Sequence, residues 1–421
     1  MTPQIRLHSA CLSFTRYFCS LKFPSMAPAT LTLLIIQLLS EATSATNTDL
    51  LSSILPFAET QYETVANQQI PILGQSGNPS AYPFEGFPTE EKWRSNRREA
   101  WTSGFMPGAF WHLSSLAPNA TDLWQQRAQI TQQGLLPMQD YNGSHDIGFV
   151  MFCSFGNAFL RTRNSSYLPP LTNAAITLSA RFNPIVGCTR SWENKGAASA
   201  DRFEVIIDNM MNLELLFWVA NYTANATLYN MAVSHAARTS SEHVRPDGST
   251  WQVVAFNSTD GAVIEKYTVQ GYGNDSTWAR GQAWAVYGFT MAYRYTQNEK
   301  FLQTAQKTAD FILGNLSPED MVPYWDFDAP FKEGYQPRDT SAAAIAASGL
   351  LELGEYLGER YRDAGVKLLE ELTKYRADGK GEYRIPAILL NGTSHYSRHH
   401  FDRALIFGDY YFLEALLRLS R

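Results

Sequence analysis

Apolar residues recur every three or four positions along most of the chain from Asp49 onward, which is the spacing of one face of an α-helix. This periodicity predicts an all-α fold. Two stretches, Thr250–Ala255 and Ala262–Thr268, show instead the pattern of short strands within a long loop. The twelve predicted helices cover residues 49–67, 102–116, 120–137, 147–162, 170–183, 204–222, 225–241, 278–296, 299–316, 339–357, 359–376 and 402–420.

Two kinds of predicted helix differ in how much of their surface is apolar. Ala279–Ala292 and Ala342–Leu353 are apolar nearly throughout, as expected of helices enclosed on all sides. Lys300–Leu316 and Arg360–Arg376 carry charge on one face, as expected of helices with one wet face. Helices of both kinds, often paired by short polar turns, predict an (α/α)₆ barrel, a closed ring of six helical hairpins. An open α-solenoid is the alternative, but no fixed-period repeat is present.

The longest predicted loops follow His243 and the helix that ends near Leu316. We expect them to form one rim of the barrel, where functional residues usually lie. No linker or low-complexity segment divides residues 46–421, so this stretch is predicted to be a single (α/α)₆ catalytic domain.

The composition indicates a globular protein, since 45% of the residues are hydrophobic and 18% are charged. Aromatic residues make up 13% of the chain, which suits either surfaces that stack on sugar rings or simply a large core. The net charge is −6 and no basic stripe is present, so a nucleic-acid partner is not expected.

The N-terminus has the pattern of a secretory signal peptide. The apolar run Leu31–Leu39 is followed by small residues up to Ala45, near which we expect cleavage. The run is too short for a membrane span, which needs about 20 residues, so no membrane partner is expected. The segment before it is long for a signal peptide, and Met26 is an alternative start.

Eight Asn-X-Ser/Thr sequons support export, and with the signal segment they predict a secreted, extracellular glycoprotein. They begin at Asn119, Asn142, Asn164, Asn221, Asn225, Asn257, Asn274 and Asn391.

Two cysteines remain after the signal segment, Cys153 and Cys188. In an oxidising compartment they either form a disulfide or stay as two separate buried thiols. No residues have the spacing of metal ligands, so neither a metal nor another cofactor is expected.

Two carboxylates stand where apolar helices are predicted to begin. Asp146 follows His145 and precedes a helix that starts near Ile147, and Asp208 lies in the apolar stretch Val205–Leu213. Either residue could simply cap a helix by accepting hydrogen bonds from free backbone N–H groups. The apolar surroundings of Asp208 would instead raise the pKa of its carboxyl group, as a general acid requires.

Arg280 and Trp284 are four residues apart and share a face of one predicted helix. A guanidinium beside an indole can bind a carboxylate and stack on a sugar ring, although Arg280 could equally pair with an internal carboxylate. His243 and Gln270 lie in polar loops with turn-forming sequences, and an isolated histidine there is ordinarily a surface residue.

Six different motifs occur in order over roughly residues 90–420: Trp101–Gly108, His145–Phe149, Ile207–Leu213, Trp278–Trp284, Pro337–Ala343 and Phe407–Leu416. Together they resemble the unsaturated glucuronyl hydrolases of glycoside hydrolase family 88. The sequence Arg-Gly-Gln-Ala-Trp in the fourth motif is similar to that of family 88, whereas the related family 105 tends to have Arg-Gly-Asn-Gly-Trp at this position.

The resemblance implies a metal-free enzyme that removes the 4,5-unsaturated uronic acid from the non-reducing end of lyase-generated oligosaccharides. It implies that Asp208 is the general acid and base and that Asp146 is its partner carboxylate. One departure is Ala343, which has no hydroxyl where a serine often helps to hold the uronate carboxylate. The substrate-binding residues that the resemblance implies are Trp101, His145, His243, Gln270, Arg280, Trp284, Thr340 and Ser341.

Two other functions are compatible with such a barrel. One is an inverting glycosidase, or a lyase, that acts on saturated glycans. The other is a secreted glycan-binding protein without catalytic activity, against which the presence of both Asp146 and Asp208 argues.

Overall fold

The computed structural model describes residues 28–76, 81–193, 201–317, 320–332, 335–378 and 383–421, and residues 28–48 and 74–76 by their backbone alone. The chain divides into two compact units, Met1–Asp49 and Leu50–Arg421. Within the predicted signal region, residues 1–27, including Met26, lie outside the described residues.

Helices dominate the described part of the chain. In chain order they are α1 (Pro28–Ser76), α2 (Phe105–Leu116), α3 (Thr121–Gln133), α4 (Ile147–Met151), α5 (Asn157–Thr162), α6 (Leu168–Ser179), α7 (Asn209–Thr223), α8 (Ala226–Glu242), α9 (Ala279–Thr296), α10 (Glu299–Asn315), α11 (Thr340–Leu357), α12 (Glu359–Leu372) and α13 (Ile406–Leu419). A π-helical turn, Phe152–Gly156, joins α4 and α5 into one continuous helix. All twelve predicted helices are therefore present.

Short strands occupy the loops between helices. They are β1 (Tyr82–Gly86), β2 (Arg94–Asn96), β3 (Phe182–Asn183), β4 (Cys188–Thr189), β5 (Arg202–Ile206), β6 (Val253–Asn257), β7 (Val263–Tyr267) and β8 (Ala404–Leu405). The two predicted strand regions correspond to β6 and β7.

Several predicted helix ends differ from the structure: the helix expected at residues 49–67 spans Pro28–Ser76, and the one expected at 402–420 begins at Ile406. The difference that matters for the site is that the helix expected at residues 204–222 begins only at Asn209. The residues before it form β5, which pairs antiparallel with β6 from Arg202 opposite Asn257 to Ile206 opposite Val253. The alternating burial of β5 could not be separated from a helix start over so few residues. Strand β5 of the sheet β5–β6–β7 ends at Ile206 and therefore fixes the position of the backbone just before Asp208.

Six helices form a closed inner ring. Around it, α2 contacts the α4–α5 helix, which contacts α7; α9 and α11 follow, and α13 closes the ring against α2. Every residue of α9 from Ala279 to Ala292 is buried, as is every residue of α11 from Thr340 to Gly354. The prediction that these two helices are enclosed on all sides is confirmed.

The outer helices pack against the ring with one face. In α10 the buried residues recur at Phe301, Ala305 and Ile312, while the charged residues of the same helix face outward. Helix α12 shows the same division, with Leu368 and Leu372 buried. The contacts α2–α3, α7–α8, α9–α10 and α11–α12 form four of the six hairpins of the predicted (α/α)₆ barrel.

Cys153 and Cys188 are both buried and free, so the structure has two separate thiols rather than a disulfide. Among the described helices, none combines the length and the apolar character needed to cross a bilayer.

Candidate active site

The N-terminal ends of the inner helices carry the polar side chains that the sequence singled out. Asp146 immediately precedes α4, Asp208 precedes α7, and Asp339 precedes α11. Arg280 is the second residue of α9. Because consecutive inner helices are neighbours in the ring, these groups gather at one end of the barrel.

Asp208 stands at the N-cap position of α7 but does not cap the helix, since its side chain accepts no hydrogen bond from the first turn. Its Oδ2 atom is buried and has no hydrogen-bond partner among the described residues. The interpretation of Asp208 as an ordinary cap is therefore wrong, because a capping carboxylate would be satisfied by backbone N–H groups.

Burial raises the pKa of the Asp208 carboxyl group to about 7 from its ordinary value of 3.8. The positive charge of Arg280 opposes this shift, whereas the negative charge of Asp146 adds to it. A carboxyl group that is still protonated near neutral pH can donate a proton, which is what a general acid requires.

Asp146 also occupies an N-cap position without capping its helix. Its carboxylate instead accepts hydrogen bonds from Ser144 Oγ at 2.9 Å and from Asn212 Nδ2 at 3.4 Å. His145 Nε2 lies 3.3 Å from Asp146 Oδ1. The side chain is about one-fifth exposed, so the carboxylate is held in place yet keeps access to solvent.

Asn212 connects the two carboxylates, since it lies one helical turn after Asp208 and donates to Asp146. Its Oδ1 accepts a hydrogen bond from the Phe149 backbone N–H at 2.8 Å, which fixes α4 against α7. Gly148 permits this approach, because a Cβ at that position would lie 2.5 Å from the Asn212 Cα. Asp146 and Asp208 are thus brought together by the packing of two inner helices.

Arg280 is buried and forms an ion pair with Asp339, with Nη1 at 2.9 Å from Oδ2. The same guanidinium donates to the backbone carbonyls of Thr393 at 2.6 Å and Ser394 at 2.8 Å. Pairing with an internal carboxylate, which the sequence left open, is therefore what the structure shows. Arg280 Nε is buried without a hydrogen-bond partner in the described part of the chain.

Gln270 is linked to Arg280 through a shared acceptor. Its Nε2 donates to the Ser394 carbonyl at 3.0 Å, and its Oε1 accepts from Gln252 at 2.7 Å. Glu85, which is buried, accepts a hydrogen bond from Ser394 Oγ at 3.1 Å. The loop around Ser394 is thus fixed from several sides and holds Arg280 in one orientation.

Trp101 lies in an aromatic cluster at the same end of the barrel. Its ring packs 4.7 Å from Phe407 and 5.4 Å from Phe149 between centroids, and its side chain remains partly exposed. Trp284 is completely buried against Phe149 and Tyr411. Trp101 can therefore contact a sugar ring, whereas the stacking predicted for Trp284 is not supported because no face of its indole is exposed.

His243 contacts the backbone of β5 rather than Asp146, Asp208 or Arg280. Its side chain is fully buried, and Nε2 lies 3.0 Å from the Val205 carbonyl on β5. Burial lowers the pKa of His243 to about 4, so the ring is neutral near pH 7. The predicted sugar contact is therefore not supported, and the expectation of a surface histidine is wrong as well.

His145 is buried next to Asp146, and burial lowers the pKa of its ring. Its Nδ1 has no hydrogen-bond partner among the described residues. A neutral imidazole at this position orients the carboxylate rather than adding positive charge. Its assignment as a substrate-binding residue stays a prediction.

Thr340 and Ser341 are both buried at the start of α11. Thr340 Oγ1 donates to the Leu390 carbonyl at 2.7 Å, and Ser341 Oγ donates to Asp339 at 2.5 Å. A hydroxyl has a single hydrogen to donate, so neither residue has one left for a substrate carboxylate in this arrangement. The predicted role of these hydroxyls is therefore not supported.

The described residues contain no group of three or more His, Cys, Asp or Glu side chains able to hold a metal ion.

Asn212 and Asp339 belong to the site but were not predicted as site residues. The signal for Asn212 was an amide one turn after Asp208 in an otherwise apolar helix. Asp339 precedes Thr340 and Ser341, which is a helix N-cap pattern, and it does cap α11 through Ser341 N and Ala342 N. Its second role, as the partner of Arg280, involves residues 59 positions apart and has no local signal.

The chain is similar in sequence to a known protein family and to characterised proteins. The sequence model of Glycosyl Hydrolase Family 88 matches residues 190–417. An "Unsaturated glucuronyl hydrolase" of Formosa agariphila is 40% identical over 323 residues, which is 76% of this chain and 79% of that protein. An "Unsaturated chondroitin disaccharide hydrolase" of Streptococcus pneumoniae is 30% identical over 76% of this chain and 82% of that protein.

A solved structure shares the fold as well. The crystal structure of an unsaturated glucuronyl hydrolase specific for heparin superposes with a TM-score of 0.77 at 34% identity, covering 87% of this chain and 97% of the other. With the barrel and the paired carboxylates, these similarities define the protein as a glycoside hydrolase. The chain belongs to glycoside hydrolase family 88.

Proposed function

We propose that the protein removes the 4,5-unsaturated uronic acid from the non-reducing end of oligosaccharides that polysaccharide lyases produce. The observation that carries this proposal is Asp208, a carboxyl group with a pKa of about 7 and an unpartnered Oδ2, beside a second carboxylate. The names of the relatives from Formosa agariphila and Streptococcus pneumoniae point to the same class of substrate.

The reaction begins with proton transfer to the substrate double bond. The unsaturated ring is a vinyl ether, with C4=C5 conjugated to the ring oxygen. Protonated Asp208 delivers its proton to C4, and positive charge develops at C5 and the ring oxygen. The negative charge of Asp146 stabilises this cation, so the two carboxyl groups have separate roles, one protonated and one ionised.

Water completes the reaction at C5. Its oxygen bonds to C5 while the Asp208 carboxylate takes up the released proton, which regenerates the acid. The resulting hemiketal opens by breaking the bond between C5 and the ring oxygen, and the aglycone is then lost from C1. Because the chemistry is hydration, the carboxylate-separation rule of retaining and inverting glycosidases does not apply.

Substrate positioning involves fewer side chains than the sequence implied. Trp101 offers a partly exposed aromatic ring on which the apolar face of a sugar can stack. Arg280 acts through its charge, because its hydrogen-bonding groups are mostly occupied by Asp339 and two carbonyls. The loop around Ser394 keeps that charge near Asp208.

A panel of lyase products tests the proposal. Unsaturated disaccharides from glycosaminoglycan, gellan, ulvan, xanthan and pectin are incubated with the purified protein, and the ultraviolet absorbance of the conjugated chromophore is followed. Loss of absorbance with at least one substrate is expected. Release of reducing ends from intact saturated polysaccharide, with no consumption of any unsaturated product, would contradict the proposal and favour an inverting glycosidase.

We also propose that the protein is secreted and glycosylated. Six of the eight sequon asparagines are exposed and the other two, Asn257 and Asn391, are partly exposed, so oligosaccharides could be attached without unfolding the barrel. Expression in a eukaryotic secretory host should yield protein in the medium whose mass falls on endoglycosidase treatment. Retention of all the protein in cells, or an unchanged mass, would contradict this proposal.

A further inference from the structure

A second cavity lies inside the barrel, away from the group of residues around Asp208. Its volume is about 360 Å³, within the range of small-molecule sites. It is lined at its deep end by Phe149 and at the far end by Arg294, near the C-terminus of α9. Arg280 is the second residue of the same helix, so 14 residues at 1.5 Å each place Arg294 about 21 Å along α9 from Arg280.

Phe149 divides the two regions. Its ring packs on Trp101 and Trp284 at centroid distances of 5.4 Å and 5.3 Å, and it also lines the second cavity. Asp146, Asp208 and Arg280 are not among the residues that line this cavity. It is therefore distinct from the catalytic site.

The π-helical turn between α4 and α5 contributes directly to the cavity wall. Phe152 and Cys153, its first two residues, line the cavity, and Asn157 follows one turn later. Asn157 Nδ2 donates to the Cys153 carbonyl at 2.8 Å and to Tyr410 Oη at 2.9 Å. π-Turns of this kind inside α-helices frequently occur at functional sites.

His112 provides an unsatisfied polar group in the same wall. The residue is 4% exposed, and its Nε2 has no hydrogen-bond partner among the residues that the structure describes. The ring packs 4.6 Å from Tyr410 between centroids. A buried imidazole nitrogen without a partner is costly, so a ligand hydroxyl that reached it would relieve that cost.

The mouth of the cavity carries positive charge. Leu160 and Arg161 line the cavity and are exposed, so it opens to the surface. Arg161 donates through Nη2 to the Ser114 carbonyl at 3.0 Å, and no carboxylate of the described residues forms an ion pair with it. In contrast, the other charges of the wall balance one another. Arg294 and Arg418 pair with the buried Glu352, and Glu214 and Glu414, which also line the cavity, pair with the same two arginines.

From these features we propose that the cavity is a second binding site, for a hydroxylated ring of monosaccharide size that carries one carboxylate. The aromatic side chains of Phe152 and Tyr410 in the cavity wall can pack against the ring of the ligand. The unpartnered His112 Nε2 and the Asn157 amide oxygen suit its hydroxyls, and Arg161 at the mouth suits the carboxylate. The inference does not depend on the function proposed for the catalytic site.

Isothermal titration of the full-length protein with sodium D-glucuronate tests the inference, with D-glucose as the uncharged comparison. Two variants alter the mouth of the cavity: Arg161→Gln removes the charge, and Leu160→Trp narrows the entrance. Arg163→Gln is the matched control, because it removes an exposed arginine of the same region that does not line the cavity.

We expect glucuronate to bind at a site whose affinity falls at least about tenfold in Arg161→Gln, as for the loss of a charge-assisted hydrogen bond. A similar fall is expected in Leu160→Trp, because the larger indole would occupy space at the mouth that the ligand needs. The same site should be unchanged in Arg163→Gln, and turnover without glucuronate should change less than twofold in all three. Absence of binding, equal binding of D-glucose, or an unchanged isotherm in both mouth variants would overturn the inference.

Discussion

At the scale of single residues, Asp208 shows how position changes the chemistry of a carboxyl group. It stands at a helix N-terminus, where free N–H groups would ordinarily hold it ionised. Its side chain does not accept those hydrogen bonds, and burial dominates, so its pKa rises to about 7. We therefore expect turnover to require the protonated form of this one residue.

The pH dependence of turnover follows from that requirement. Below about pH 7 Asp208 is protonated and can act as the acid, whereas above its pKa the protonated fraction falls tenfold for each pH unit. We expect kcat/KM for an unsaturated disaccharide to decline on the alkaline side with an apparent pKa near 7. A rate that stays constant up to pH 9 would contradict protonation by Asp208.

The sequence predicted the identity of the two carboxyl groups better than the residues around them. Asp146 and Asp208 stood out because each interrupts an apolar helix start. The burial of Trp284 and His243, by contrast, depends on contacts with Tyr411 and with the Val205 carbonyl, which are distant in sequence. No local pattern shows whether an aromatic ring faces a ligand or the core.

At the scale of elements, the site depends on how closely α4 and α7 pack. Gly148 lies against the backbone of Asn212, and the Asn212 amide holds both α4 and Asp146. The position of Asp146 is thus set by a glycine two residues later, in the helix that Asp146 itself precedes. The sequence predicted both helices but not this contact, because it lies between elements.

Gly148→Ala should therefore damage the site through packing. The added Cβ would lie 2.5 Å from Asn212 Cα and 2.7 Å from its carbonyl oxygen, so α4 must shift. We expect a loss of about 1–3 kcal/mol in the free energy of unfolding and a fall in kcat. Chemical denaturation and the absorbance assay measure the two effects.

Gly314→Ala is the matched control for that variant. Gly314 also lies within a helix, α10, but a Cβ there would meet nothing within 4 Å. Its replacement should leave kcat unchanged and stability equal or slightly higher, since alanine favours the helix. Equal behaviour of the two variants would show that the approach of α4 to α7 does not control the site.

At the scale of the whole molecule, the ring is closed by packing at one end and by charge at the other. Glu352 on α11 is buried and pairs with Arg418 Nη1 at 2.6 Å and Arg294 Nε at 3.3 Å. Arg294 also pairs with Glu214, so α7, α9, α11 and α13 are joined. The helical pattern predicted the number of helices, but this network joins residues too far apart for any sequence pattern to show.

Glu352→Gln tests how much that network contributes to stability. The change removes the carboxylate that Arg294 and Arg418 share, although Arg294 keeps Glu214 and Arg418 keeps Glu414. Because both guanidinium groups are partly exposed, we expect the free energy of unfolding to fall by about 1–2 kcal/mol. Glu355→Gln on the exposed side of the same helix should change it by less than about 0.5 kcal/mol. Equal denaturation midpoints for the two variants would show that the network does not stabilise the ring.

Asp208→Asn is the most direct test of whether Asp208 protonates the substrate. The measurement is the rate of absorbance loss from an unsaturated disaccharide that the unaltered protein consumes. We expect at least about a 10²-fold lower kcat. Because the pKa is raised, the stability cost of burying Asp208 grows as the pH rises from about 3.8 to about 7 and applies in full at pH 8, where the variant should unfold at an equal or higher temperature than the unaltered protein. Full activity in a folded Asp208→Asn variant would contradict the account.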